Sequence, residues 1–109
     1  MAQQLKTGDI VQVGEQGREG ILGVPENAAG IVLFAHGSGS GRFSPRNNFV
    51  AAQLQKAGFA TLLIDLLTPD EELDRTNVFD VPLLASRLVQ ATQWVRENAR
   101  TAQLEIGYF

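Results

Sequence analysis

Cysteine is missing from all 109 residues, which excludes a disulfide framework, a thiolate zinc site and a thiol nucleophile within this sequence. No apolar run approaches the roughly 20 residues that a membrane helix needs. The start, Met1-Ala2-Gln3-Gln4-Leu5-Lys6-Thr7, lacks the apolar stretch of a signal peptide. An excess of either charge is missing too. A net charge of −3 and a pI near 5.0 give no electrostatic reason to expect nucleic acid or an anionic membrane. These absences predict a cytoplasmic protein with no bound metal or cofactor. What is present is 44% hydrophobic residues, enough for a real core in one small domain spanning residues 1–109. A domain this short buries only roughly 60–70% of its unfolded surface, so its stability margin is narrow.

Ile10-Val11-Gln12-Val13 alternates weakly and predicts a short strand, with a turn over residues 14–20 and Ile21-Leu22-Gly23-Val24 as its hairpin partner. Residues 30–35 are continuously apolar, which predicts a strand buried on both faces. Ser44 is a good N-cap with Pro45 at the first helical position, and Gly58 stands where that helix ends. Val50, Leu54 and Ala57, helped by Phe49, are expected to form its apolar face. A second buried strand, Ala60 to Ile64, is closed by Asp65. Thr68-Pro69-Asp70-Glu71 has the form of a capping box. Asp80 caps a longer helix whose apolar face is Val81, Leu84, Leu88, Ala91 and Val95, with Trp94 packing beneath it. Residues 104–109 read as a third buried strand. The order, a hairpin followed by β-α-β-α-β, predicts an α/β fold in which right-handed crossovers set the three apolar strands in one parallel sheet. Ile106-Gly107-Tyr108-Phe109 ends the sequence inside a predicted strand, and domains seldom end there. The expectation is that further protein follows Phe109.

The most informative stretch is Phe34-Ala35-His36-Gly37-Ser38-Gly39, where a buried strand empties into a glycine-rich loop followed by a helix start. Open α/β proteins build binding crevices in this way. Glycines let the backbone approach a bound atom, and free N–H groups in such a turn stabilise negative charge.

The stretch from Gly30 to Asn48, followed by Phe59-Ala60-Thr61-Leu62-Leu63-Ile64-Asp65, resembles the front half of a dienelactone hydrolase-like α/β-hydrolase. The resemblance implies the N-terminal hairpin and β-α-β-α-β part of a three-layer α-β-α hydrolase sheet, stopping short of the nucleophile elbow. It also implies a carboxylic ester hydrolase acting on a small ester or lactone. In that family the loop supplies one backbone N–H of the oxyanion hole. By position the donor is the amide of Ser38, flanked by Gly37 and Gly39, with His36 shaping the loop. The family's Gly-x-Ser-x-Gly or Gly-x-Cys-x-Gly elbow would follow the strand at 104–109, with the acid and the base later still. The chain alone is therefore expected to be inactive, and to associate with itself or with the missing C-terminal half.

Other readings compete at the same residues. His36 as a general base needs a nucleophile within hydrogen-bond reach, and Ser38, Ser40 and Ser44 lie outside any Gly-x-Ser-x-Gly frame. Gly37-Ser38-Gly39-Ser40-Gly41, with Asp65 as a ribose ligand, suggests instead a non-catalytic nucleotide- or partner-binding module. The dinucleotide fingerprint, however, wants glycine where Arg42 stands, and Asp65 can equally satisfy turn amides. Arg42 and Arg46 flank a helix start and could hold an anion, but solvation is the plainer expectation for both. Asp70, Glu71, Glu72 and Asp74 lack the glycine and terminal glutamate of a calcium loop and read as a solvated acidic stretch.

Overall fold

The structure is a computed structural model and describes residues 8–36 and 41–109, with only the backbone of His36 and Gly41 included. Five strands, β1 (Asp9–Val13), β2 (Arg18–Gly23), β3 (Ile31–His36), β4 (Ala60–Asp65) and β5 (Ile106–Tyr108), form one mixed sheet in the order β1-β2-β4-β3-β5. The helices are α1 (Pro45–Lys56), the short α2 (Pro69–Glu72) and α3 (Arg75–Val78), and α4 (Val81–Glu97); a 3₁₀ turn, Gly41–Phe43, precedes α1. The expected hairpin is present as β1 and β2, and β4, β3 and β5 run parallel. The hairpin joins the sheet through β2, which lies antiparallel to β4.

Side-chain alternation divides the core between the two faces. Ile31, Leu33, Ala60, Leu62 and Ile64 pack with Ala91 and Val95 of α4, while Phe34 and Leu63 pack with Ala51, Val50 and Leu54 of α1. Helices on both faces make the three-layer α-β-α arrangement. They also explain why β3 and β4 carry apolar residues at successive positions rather than alternating ones.

Helix boundaries follow the predicted caps. Ser44 Oγ accepts from the N–H of Asn47 at 3.2 Å, and Asp80 Oδ1 accepts from the N–H of Leu83 at 3.0 Å. Such caps contribute about 1 kcal/mol each. At the end of α1, the N–H of Phe59 donates to Leu54 and the N–H of Gly58 donates to Gln55, both at 3.0 Å. This double closure needs a left-handed residue, and Gly58 has φ +95°.

Three expectations need correction. Phe49 is 60% exposed and Ala57 is exposed, because the inner face of α1 is rotated toward Asn47, Asn48 and Ala51. Val81 is 70% exposed, and the buried residues of α4 begin only at Arg87. The last strand is short and largely open: Tyr108 and Phe109 are 54% and 49% exposed. It lies at the sheet edge, where β3 covers one side. Even there Phe109 stacks on Phe34 with ring centroids 5.1 Å apart, and the Tyr108 hydroxyl meets Thr92 Oγ1 at 2.7 Å. Among the described residues no helix is long and apolar enough to cross a membrane.

A Cβ at Gly58 would meet nothing within 4 Å, so Gly58→Ala isolates the backbone strain. It is expected to lower stability by about 1 kcal/mol in urea denaturation; an unchanged midpoint would refute the strain. Among the described residues β5 pairs only with β3, and its outer edge carries neither proline nor lysine to discourage pairing. At micromolar concentration the 109-residue chain should sediment as dimers or larger species. A strictly monomeric, cooperatively unfolding species would show that the edge is guarded.

Candidate active site

The parallel ladder of β3 and β4 ends with His36 opposite Asp65. Because β2 runs the other way, its beginning lies at this same edge, Gly20 pairing with Ile64. Alternation then sends Arg18, in phase with Leu22, to the α4 face, and Glu19, in phase with Ile21, to the α1 face. Charged groups from five segments of the chain thus form two clusters, one on each face, near the carboxyl ends of β3 and β4, where open α/β sheets bind ligands.

On the α1 face Arg42 is the hub. Its N–H donates to Asp65 Oδ1 at 3.0 Å, and its guanidinium pairs with Asp65 Oδ2 and with Glu19 Oε2, the latter at 2.6 Å. The guanidinium also lies 4.1 Å over the Phe43 ring, a cation–π contact. Asn48 Nδ2 donates to the carbonyl of Arg42 at 2.9 Å and to that of Ser44 at 3.0 Å. Both main-chain groups of Arg42 and its side chain are therefore held.

On the α4 face two arginines are buried near each other, and one of them, Arg87, is paired with a carboxylate. Arg87 is 6% exposed and pairs with both oxygens of Glu71, at 2.7 and 2.5 Å, while also donating to the carbonyl of Leu66. Arg18, 1% exposed, donates through Nη2 to Gln90 Oε1 at 3.2 Å, and its Nε and Nη1 have no partner among the described residues. Burial first, and then the charge of Arg87, lower the Arg18 pKa to about 10, so it stays protonated at neutral pH. Hydrogen bonds from Arg87 hold the Glu71 carboxyl down to about 2 against some desolvation. The capping box adds to this, since Glu71 Oε1 also accepts from the N–H of Thr68.

Of the residues singled out in the sequence, Gly37, Ser38, Gly39 and Ser40 lie outside the described residues, as does the side chain of His36. Ser44 is a helix cap. Asp65 does accept from a turn amide, that of Arg42, and it carries an ion pair besides. Arg46 is exposed as expected. Arg42 is not solvated as expected, because antiparallel β2 brings a second carboxylate, Glu19, within its reach. The acidic stretch is likewise only partly solvated: Asp74 caps α3 and Glu71 answers the buried Arg87. Arg18, Arg87, Glu19 and Asn48 were missed. A trace of the pattern was present, since Arg87 shares the α4 face with Leu84, Leu88 and Ala91, and Arg18 alternates in phase with Leu22. Among the described residues no cluster of metal-ligating side chains occurs.

No family model matches the chain. The solved structure of a dienelactone hydrolase from Anabaena variabilis ATCC 29413 is similar at a TM-score of 0.84 and 57% sequence identity, over 94% of this chain and 49% of that one. Two curated relatives come from Mycobacterium tuberculosis, strains CDC 1551 / Oshkosh and ATCC 25618 / H37Rv, each named "Putative phosphoribosyl transferase". Both are 61% identical over 90 residues, which is 83% of this chain and 20% of each relative. The chain thus spans a fifth of the curated relatives' length and about half of the solved one.

The Glu71 pair fixes a pH dependence. Its carboxyl pKa is lower folded than the ordinary 4.5, so its contribution is fully present above about pH 4.5 and is lost as pH falls through about 2. The full linkage for such a shift is about 3 kcal/mol. With 27% of the Glu71 side chain in water, about 2 kcal/mol is expected. Glu71→Gln should lower stability at pH 7 by that amount and flatten the acid limb of the stability curve. Parallel curves for the two proteins from pH 7 to 2 would show the pair to be inert.

Proposed function

We propose that this chain, which corresponds in fold and sequence to the N-terminal half of a dienelactone hydrolase-like α/β-hydrolase, contributes the oxyanion-stabilising loop of an enzyme that cleaves small esters or lactones. The observation that carries the proposal is a likeness at 57% identity, over 94% of the chain, to a solved dienelactone hydrolase. The strand order agrees with it. β3 is an inner strand parallel to β4 and β5, and the glycine-rich segment follows it in the chain, ahead of the Ser44-capped α1. Residues 1–109 are read as a single partial hydrolase domain.

In this reading the backbone N–H of Ser38 donates to the alkoxide that develops as a nucleophile attacks the substrate carbonyl. Gly37 and Gly39 allow the close approach, and His36 shapes the loop. One such donor is worth roughly 3–4 kcal/mol of transition-state stabilisation. The nucleophile, serine or cysteine, together with the acid and the base of the triad, would come from the C-terminal half, because no Gly-x-Ser-x-Gly frame occurs in these residues. No cofactor is required for such acyl transfer.

The name carried by the mycobacterial relatives describes proteins of which this chain matches a fifth. A nucleotide or phosphoribosyl reading of the loop also meets an obstacle in the geometry. Asp65, the carboxylate that would hold a ribose, already accepts from the Arg42 main chain and is paired with its guanidinium.

The chain alone is expected to hydrolyse p-nitrophenyl acetate no faster than denatured protein, and the full-length protein to hydrolyse it measurably. In the full-length protein Ser38→Ala keeps the amide and should cost about threefold at most. Gly37→Val crowds the loop and should cost about tenfold or more in rate, equivalent to about 1.4 kcal/mol. Greater damage from Ser38→Ala than from Gly37→Val would mean that the hydroxyl does the chemistry.

A further inference from the structure

We propose that Arg18 is the seat of a buried anion site between the start of β2 and α4, and that its occupant is a small monovalent anion of the halide class. The site is independent of the hydrolase reading. Arg18 lies opposite Val13 in the β1–β2 ladder and in phase with Leu22, and both of those residues belong to the buried core. An apolar side chain of similar volume would satisfy packing there, often at no loss of stability. The guanidinium is nonetheless present, and the chain around it is shaped to hold it. Gly14 has φ +79°, and a Cβ there would stand 2.9 Å from Arg18 Nη2 and 3.1 Å from Gln90 Oε1. Nη2 donates to Gln90 Oε1 at 3.2 Å and, more loosely, to the carbonyl of Arg87 at 3.4 Å. Both acceptors are neutral, and Nε and Nη1 have no partner among the described residues.

The charges in this place do not balance. Arg18 and Arg87 are 1% and 6% exposed, and the carboxylate paired there is that of Glu71. Glu71 is fully committed. Its Oε1 accepts from Arg87 Nη1 at 2.7 Å and from the N–H of Thr68 at 2.9 Å, and its Oε2 accepts from Arg87 Nη2 at 2.5 Å. Turning it toward Arg18 would undo the capping box and strip Arg87 of its partner. One positive charge is left over, and an uncompensated buried charge is strongly destabilising. Arg18 does not escape by losing its proton, since burial and the charge of Arg87 lower its pKa only to about 10. A water molecule can satisfy a donor but cannot neutralise the cation. A single excess charge calls for a monovalent anion, and near-complete burial excludes a bulky one such as phosphate. Weakly hydrated anions lose least on leaving water, so bromide is expected to bind more tightly than chloride, and fluoride least.

The full-length protein at neutral pH provides the test. In about 200 mM sodium bromide, against sodium gluconate at the same ionic strength, its melting midpoint should rise by about 3 °C or more. In Arg18→Met that difference should vanish, whatever the variant's own midpoint. Arg46→Met, which removes an exposed arginine, should keep it. In crystals grown with sodium bromide, anomalous scattering should place an ion within about 3.5 Å of Arg18 Nε or Nη1.

Equal midpoints in bromide and gluconate overturn the proposal. So does a difference that persists in Arg18→Met, or bromide found only elsewhere, which marks an adventitious ion only. A carboxylate of the C-terminal half on Arg18 in the same crystal would also overturn it, since the counter-charge would then be the protein's own. Should Arg18→Met fail to fold, the bromide position in the wild-type crystal decides alone.

Discussion

The parallel pairing of β3 with β4 is the contact on which the rest of the structure depends. Six residues of each strand are in register, from Ile31 opposite Ala60 to His36 opposite Asp65. Neither strand can be solvated, because apolar side chains point to both faces, so each face needs its own covering helix. That requirement places α1 on one side and α4 on the other. The hairpin can attach only to an open neighbour position, and it takes the one beside β4. The register also sets where the polar chemistry begins. One position past the apolar run of β3, the backbone of His36 lies opposite Asp65.

The charges at that edge are sorted by the same alternation that builds the core. Neighbouring residues Arg18 and Glu19 point to opposite faces of β2, one to join a buried cationic group and the other to meet Arg42. The two clusters differ in physical character. Around Arg42, two carboxylates surround one guanidinium that keeps some contact with water, an inexpensive arrangement that fixes geometry. Around Arg87 and Arg18, two arginines are buried while only Arg87 has a carboxylate, Glu71, and two nitrogens of Arg18 have no partner among the described residues. Buried cations of this kind are costly unless fully paired. Gly14 belongs to this cost: its φ is +79°, and a Cβ there would lie 2.9 Å from Arg18 Nη2. The turn before β2 thus needs glycine both for its backbone and for the guanidinium it covers.

Both clusters tie the loops of the crevice to rigid elements rather than to each other. Arg42 links the exit of the glycine-rich segment to β4 and β2, and Glu71 links α2 to α4 through Arg87.

Local signals by themselves determined the elements and their ends. Ser44, Thr68 and Asp80 cap where a side-chain oxygen can reach a free N–H, Gly58 ends α1 because the turn needs a positive φ, and continuous apolar runs marked β3 and β4 as doubly covered. These effects act within a few residues, so a linear reading captures them, and the resemblance carried by residues 30–65 reached the same fold. Which side of α1 is buried, and which charges meet, was decided only in three dimensions. Arg42 reads as a surface residue until antiparallel β2 brings Glu19 beside it, and Glu71 reads as solvated until α4 presents Arg87. The strand at 106–108 reads as buried because its residues are apolar, yet it lies at an edge with β3 on one side. Pairing partners, direction and register are long-range choices. They turn on which surfaces remain to be covered once β3 and β4 have met, and no short stretch of sequence carries that information.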